Sequence, residues 1–182
     1  MRYAITGSIG TGKTTIAKMF KERGFVIYDA DKMVHELYQD EHIIKCVESM
    51  FPEAFISGHM DTKVIADVIF HSKEKKKELE NFIHPLVRER ILELDNCIIE
   101  VPLLFESKME SLFDKIILVY CPKEEQLKRI MKRNNVSLEE AMSRVNSQMD
   151  INEKIGLSDF VLNNVGSRNT IKKQVNDIIS KL

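Results

Sequence analysis

The chain contains no tryptophan, and its 182 residues include only seven glycines, four prolines and three cysteines. Each shortage removes a class of protein. Without Gly/Ser/Pro-rich tracts or repeats at a fixed period, the chain is neither a set of modules on flexible linkers nor a low-complexity polymer. Cys46, Cys97 and Cys121 show no C-x-x-C spacing. Their odd, sparse count suggests a reducing compartment and no disulfide framework, and the apolar surroundings of Cys97 and Cys121 suit small core residues. No apolar run approaches the roughly 18 residues of a membrane helix. The opening MRYAITG is too short an apolar stretch for a secretory leader, so a cytoplasmic protein is expected. Charge of one sign is lacking too: 27 Lys and Arg face 28 Asp and Glu, for a formal net charge of −1. Neither nucleic acid nor an anionic membrane is attracted by such a balance, and neither is expected as a partner.

What remains is ordinary globular composition, 43% hydrophobic and 30% charged, with length for one core and a small inserted subdomain. Alternating strands and helices predict an α/β, three-layer fold with a parallel sheet of about five strands. The strands are the short YAI run, residues 25–28, CIIEVPLL (97–104), KIILVY (115–120) and DFVLN (159–163). Continuous apolar runs such as KIILVY mark strands covered on both faces. Helices are expected over 13–23 with Gly24 as a left-handed cap, then 31–39, 41–50, 62–71 and 74–94. Pro85 should kink or restart the last of these, and the residue before it, His84, should be held extended and turned off its helix. Helix 123–133 ends at Asn134-Asn135, and Ser137 with Glu140 forms a capping box for helix 137–149. Another helix closes the chain.

The chemistry begins at ITGSIGTGKTT, residues 5–15. Gly7, Gly12, Lys13 and Thr14 satisfy G-x-x-x-x-G-K-[ST] between a strand and a helix. The glycines let Ser8, Ile9, Gly10, Thr11 and Gly12 wrap backbone N–H groups around phosphate oxygens, and the helix beginning near Lys13 to Thr15 adds its positive end. Lys13 reaches the outer phosphates, and the Thr14 hydroxyl is the metal ligand for Mg²⁺. A nucleoside triphosphate is therefore the expected ligand. The chain lacks the N/T-K-x-D and D-x-x-G patterns of regulatory GTPases. Two carboxylates, Asp29 and Asp31, end the strand after the loop's helix, and two-residue spacing puts them on one side while strand geometry persists. One can orient an acceptor hydroxyl; the alternative is that they cap the next helix.

In order along the chain, TGSIGTGKTT, YDADKMVHELY, FIHPLVRERI, IIEVPLLFES, QLKRIMKRNNVSLEEAMSRVNSQ and SDFVLNNVG resemble the dephospho-coenzyme A kinases, from Arg2 to about Val175. The resemblance implies a fold like that of nucleoside monophosphate kinases: a core of about 1–30, 95–125 and 157–182, a helical acceptor region of about 31–94, and a helical lid of about 126–152. It implies transfer of the ATP γ-phosphoryl group to the ribose 3′-hydroxyl of dephospho-coenzyme A, the last step of coenzyme A synthesis, with Mg²⁺. Asp31 is then the catalytic base or hydroxyl-orienting group. His84, Arg88, Pro102, Leu103 and Glu106 serve the acceptor, and Asn163 meets the adenine. A lone His is otherwise structural. Arg129, Arg133 and Arg144 would come down on the triphosphate, or would form a solvated helix pair. Ser8 and Thr14 are mild departures from the family pattern. Thr62 in GHMDT stands where Arg is common, with Lys63 beside it. A monomer is expected, with ATP and dephospho-coenzyme A as partners. The alternative readings are a kinase of a nucleoside monophosphate or other small metabolite, and a non-catalytic ATP-dependent switch.

Overall fold

The computed structural model describes residues 1–56 and 58–182. The chain forms two compact units: Met1–Ala30 with Leu94–Leu182, and Asp31–Glu93. The first strand, β1 (Arg2–Thr6), runs into the glycine loop, and α1 (Lys13–Lys21) follows. Gly24, at φ 93°, turns the chain into β2 (Val26–Asp29) and then α2 (Ala30–Leu37). The second unit holds α3 (Glu41–Met50), a two-stranded hairpin of β3 (Phe55–Ile56) and β4 (His59–Met60), α4 (Thr62–His71) and α5 (Lys73–Leu92). The first unit then resumes with β5 (Cys97–Glu100), β6 (Lys115–Tyr120), α6 (Lys123–Asn134), α7 (Leu138–Asn146), α8 (Ile151–Ile155), β7 (Phe160–Asn163) and α9 (Arg168–Ile179).

The five strands of the first unit form one sheet in the order β2-β5-β1-β6-β7, every neighbouring pair parallel. Helices cover both sides, so the layered fold is the expected one. Alternate residues explain the layering. Tyr3, Ile5, Ile98, Ile117, Val119 and Leu162 pack with Ile16 and Phe20 of α1 and with Ile171, Val175 and Ile178 of α9. The intervening Ala4, Cys97, Ile99, Ile116 and Leu118 are buried as well, so no strand face in mid-sheet meets water.

Because all strands run one way, their carboxyl ends share an edge. Ile5 lies opposite Glu100, Glu100 opposite Asp29, and Thr6 opposite Leu118. The glycine loop, the segment after Glu100 and the start of α2 all leave from that edge, where open α/β sheets bind ligands.

In the second unit, Leu79, Ile83, Val87 and Ile91 bury one stripe of α5. Met33, Leu37, Val47, Phe51, Ala54 and Ile65 are buried as well. Asp40, Asp61 and Ser72 accept backbone N–H groups at the starts of α3, α4 and α5. Asp61 belongs to the departing GHMDT stretch, and its carboxylate caps Lys63 N–H at 2.9 Å.

Several boundaries differ from the sequence expectation for physical reasons. Pro85 does not break α5, which runs unbroken through it from Lys73 to Leu92. Pro85 and Asn81 are both exposed, so the carbonyl deprived of its N–H donor can turn to water. His84 therefore stays helical and is not turned off the helix. The strand expected over 97–104 stops at Glu100, because Pro102 cannot donate to a sheet ladder. Helix 137–149 ends at Asn146, although its capping box forms as expected. Segment 126–152 lies within the first unit.

Candidate active site

Between β1 and α1 the loop closes on itself. Ser8 C=O accepts from Thr11 N–H at 3.3 Å and Thr11 Oγ1 at 2.9 Å, and Lys13 Nζ donates to Gly7 C=O at 2.8 Å and to Ser8 C=O at 3.2 Å. Gly12 adopts φ 90°, a left-handed conformation that favours glycine, and a Cβ there would collide with the Asn164 carboxamide. Gly10, at φ 82°, has Gln126 C=O 2.9 Å from where a Cβ would sit. Two of the loop's glycines are thus demanded by backbone geometry and by close neighbours together. Thr15 and Ile16 N–H both return to Gly12 C=O. The N–H groups just before them open α1, where an α-helix has no acceptor of its own to offer. That end is a preformed anion site.

A cavity of about 720 Å³ opens over this loop. Ile9, Gly10, Gly12, Lys13, Thr14 and Thr15 form its floor. Its walls bring Arg129, Lys132 and Arg133 from α6, Glu100 and Pro102 from the end of β5, and Gln148 from beyond α7. Four cationic side chains against one carboxylate make a site for a polyanion.

Glu100 was not singled out by the sequence. It is 7% exposed, and its Oε1 accepts the Thr14 hydroxyl at 2.9 Å. A hydroxyl and a buried carboxylate side by side at a phosphate loop offer hard oxygen donors of the kind Mg²⁺ takes alongside phosphate oxygens and water. Among the described residues no three His, Cys, Asp or Glu side chains cluster to hold a metal by themselves. The donor set therefore fits an ion shared with phosphates. The available sign was an acid closing an apolar run, IIE in IIEVPLL, and its proximity to Thr14 emerges only from the pairing of β5 with β1.

Arg129 is held in three directions. Its Nε donates to Glu125 at 2.9 Å, its Nη1 to Thr11 C=O at 3.2 Å and its Nη2 to Asn164 C=O at 2.8 Å. Asn164 Nδ2 donates to the same Thr11 carbonyl at 2.7 Å. The two side chains clamp the back of the loop, and Asn164 is buried. Asn163, the residue named from sequence, is exposed at the end of β7, and its backbone N–H and C=O pair with the Gln174 carboxamide at 2.9 and 3.0 Å. Neighbouring asparagines alternate sides of a strand end, and NNVG by itself does not say which one faces inward.

The other named residues separate into groups. Pro102 lines the cavity, whereas Leu103 is 39% exposed and absent from its walls. Glu106 points elsewhere: its Oε1 accepts Lys154 Nζ at 2.8 Å and Met149 N–H at 3.1 Å. Arg133 lines the cavity while its Nε donates to Asn134. Arg144 is exposed on α7 and does not line the cavity.

In the second unit, Asp31 occupies the first turn of α2. The strand ends at Asp29, so the two aspartates do not share a strand face as their spacing suggested. His84 and Arg88 are half-buried one turn apart on α5. Burial lowers the His84 pKa; Glu80 one turn before opposes that and Arg88 one turn after adds to it.

Known proteins place this constellation. The family model described as Dephospho-CoA kinase matches residues 1–170. A dephospho-CoA kinase of Carboxydothermus hydrogenoformans is 37% identical, across 97% of this chain and 92% of that protein. One from Listeria monocytogenes is 36% identical, across 97% and 94%. The solved dephospho-CoA kinase of Campylobacter jejuni superposes with a TM-score of 0.73 at 35% identity, covering 99% of this chain and 96% of that one. A shikimate kinase of Bacteroides thetaiotaomicron, TM-score 0.57 at 16% identity, shares the fold. A phosphate loop that opens onto a cationic cavity, set in a chain matched along nearly its whole length, leads to one assignment: the chain belongs to the dephospho-CoA kinase family.

Proposed function

We propose that this chain transfers the γ-phosphoryl group of ATP to the ribose 3′-hydroxyl of dephospho-coenzyme A, yielding coenzyme A and ADP. The observation that carries the reading is the 720 Å³ cavity in which the helix-opening amides, Lys13 and three α6 cations face Glu100 and Thr14. Phosphoryl transfer needs charge around the moving group and an oriented hydroxyl more than it needs covalent chemistry.

In this reading the triphosphate lies along the loop from Ser8 to Thr15, and Lys13 leaves the Gly7 and Ser8 carbonyls for the outer phosphates. Arg129 and Arg133 face it from α6, and Arg144 joins them on a lid formed by 126–152. Thr14 and Glu100 would hold Mg²⁺, which supplies charge neutralisation between the outer phosphates. Asn163 and its neighbour Asn164 border the adenine. Asp31 accepts or orients the acceptor's 3′-hydroxyl proton, and its place two residues after Asp29 supports that role, since Asp29 is the register partner of Glu100. The region 31–94, with His84 and Arg88, is the acceptor region, and Pro102 and Leu103 after β5 also serve the acceptor. Glu106 serves the acceptor through the segment after β5, which it ties to Met149 and Lys154. The chemistry suits a reducing interior, and a monomer is sufficient for it.

The test is ATP consumption with dephospho-coenzyme A, a nucleoside monophosphate and a 3′-deoxy analogue of dephospho-coenzyme A as separate acceptors. Turnover with the first alone supports the reading. Equal turnover with the nucleoside monophosphate overturns the substrate assignment.

A further inference from the structure

Gln148 takes part in no step described above, yet it is the one residue beyond α7 that reaches the phosphate cavity. Its Oε1 accepts Ile9 N–H at 2.8 Å, a contact across 139 residues of sequence. The next residue is moored: Met149 N–H donates to Glu106 Oε1 at 3.1 Å, and the same oxygen receives Lys154 Nζ at 2.8 Å. Lys154 is fully buried, so this ion pair is sheltered from screening, and neither partner can leave without stranding the other. A chain of contacts thus runs from the post-β5 segment, through the backbone at 149, to the amide of Ile9.

We infer that Gln148 is a positioning residue of the phosphate loop, held in place by the Glu106–Lys154 ion pair, and that it fixes the Ile9 amide in the nucleotide-binding conformation both before and after ATP arrives. This deepens the kinase reading and rests on it. A side chain that merely fills in for a phosphate oxygen must be free to depart. Gln148 instead extends from backbone tied down by a buried pair, and it also lines a second cavity of about 210 Å³ behind the loop with Ser8 and Gln126. It lines both spaces. The Ile9 N–H it holds precedes the helix-opening amides that α1 leaves for an anion. Holding Ile9 takes its N–H from the phosphate donors expected from the sequence but leaves the helix-opening amides free, and it removes a freedom that the bound loop would otherwise have to lose.

The experiment compares wild type with Gln148→Met, which keeps the length of the side chain and loses its acceptor, and with Glu106→Gln, which keeps an acceptor for Met149 and loses the charge. ATP affinity is read by calorimetry, and Ile9 amide exchange by NMR with and without ADP. The expected result for Gln148→Met is ATP binding weakened about three- to tenfold, the worth of one hydrogen bond. The KM for dephospho-coenzyme A should be unchanged, and the Ile9 amide should exchange faster in the free protein. Glu106→Gln should show weaker ATP binding and faster Ile9 exchange in smaller degree; its acceptor KM is no control, because Glu106 belongs to the acceptor side. Unchanged or tighter ATP binding in Gln148→Met, even with a lowered Tm, overturns the inference. So does an Ile9 amide of the wild type that is protected only without nucleotide. Should Gln148→Met fail to fold, Gln148→Leu decides by the same readouts. Wild type that binds ATP but makes no phosphorylated acceptor would defeat the kinase reading while leaving this comparison of ATP affinities interpretable.

Discussion

In the proposed reaction, Glu100 and Asp31 divide the two tasks a carboxylate can have. Glu100 sits against the Thr14 hydroxyl in the wall of the phosphate cavity, while Asp31 lies in the first turn of the helix after the neighbouring strand. Asp31→Asn keeps the shape and removes the proton acceptor, so kcat should fall by about 10²–10⁴. ATP affinity, measured by titration, should stay within about twofold, since only a transition-state interaction is lost. A near-normal kcat would remove Asp31 from the chemistry. Glu100→Gln retains an oxygen for the Thr14 hydroxyl and deletes the charge. The Mg²⁺ concentration giving half-maximal velocity should rise at least about tenfold, as loss of such support typically costs a metal site. An unchanged Mg²⁺ dependence would leave Glu100 as a mere partner of Thr14. At this scale the sequence was informative wherever a residue type is demanded by backbone shape. Gly12 and Lys13 are legible from spacing alone. Glu100 and Asn164 are not, because burial next to a particular loop depends on which strands pair.

Among the elements, β6 and β7 show how an exposed ionic contact fixes a junction. Asp159 accepts from Lys115 Nζ and Ile116 N–H, each at 2.8 Å, and its own N–H donates to Ile116 C=O. The Lys115 hydrogen bond, with the backbone bond from Ile116, holds the Asp159 carboxyl below its usual value. The folded state then takes up this proton at lower pH than the unfolded chain does. The stabilisation is complete above the unfolded value, near pH 4, and is lost as pH falls through the folded value. Asp159→Asn should cost about 1 kcal/mol at pH 7, modest because the pair is partly solvated. Urea unfolding at pH 7 and pH 3 should show that deficit shrinking towards zero in acid; a deficit independent of pH would contradict it. Strands such as KIILVY were legible because burial on both faces leaves an unbroken apolar run. The hairpin of β3 and β4, two residues each, and the five-residue α8 carry too few periods to register. Pro85 misled because the rule against proline in helices assumes that the freed carbonyl lacks water.

For the molecule as a whole, nucleotide binding and folding are linked. ATP at a hundred times its Kd should stabilise the folded chain by about 2.7 kcal/mol, visible as a raised Tm. Lys13→Ala and Gly12→Ala should each abolish most of that rise, the first by losing charge and the second by forcing a Cβ into Asn164. A full thermal shift in Gly12→Ala would mean that the loop tolerates the collision and is not the nucleotide site. The chain divides into two compact units between Ala30 and Asp31 and between Glu93 and Leu94, so the proposed base is the first residue of the second unit.

Incubation with ATP, Mg²⁺ and dephospho-coenzyme A, followed by the mass of the acceptor, tests the central claim most directly. The account predicts an acceptor heavier by one phosphoryl group, formed in step with ADP and absent with the 3′-deoxy analogue. ADP formation with the acceptor mass unchanged, or equal modification of the 3′-deoxy analogue, would contradict it.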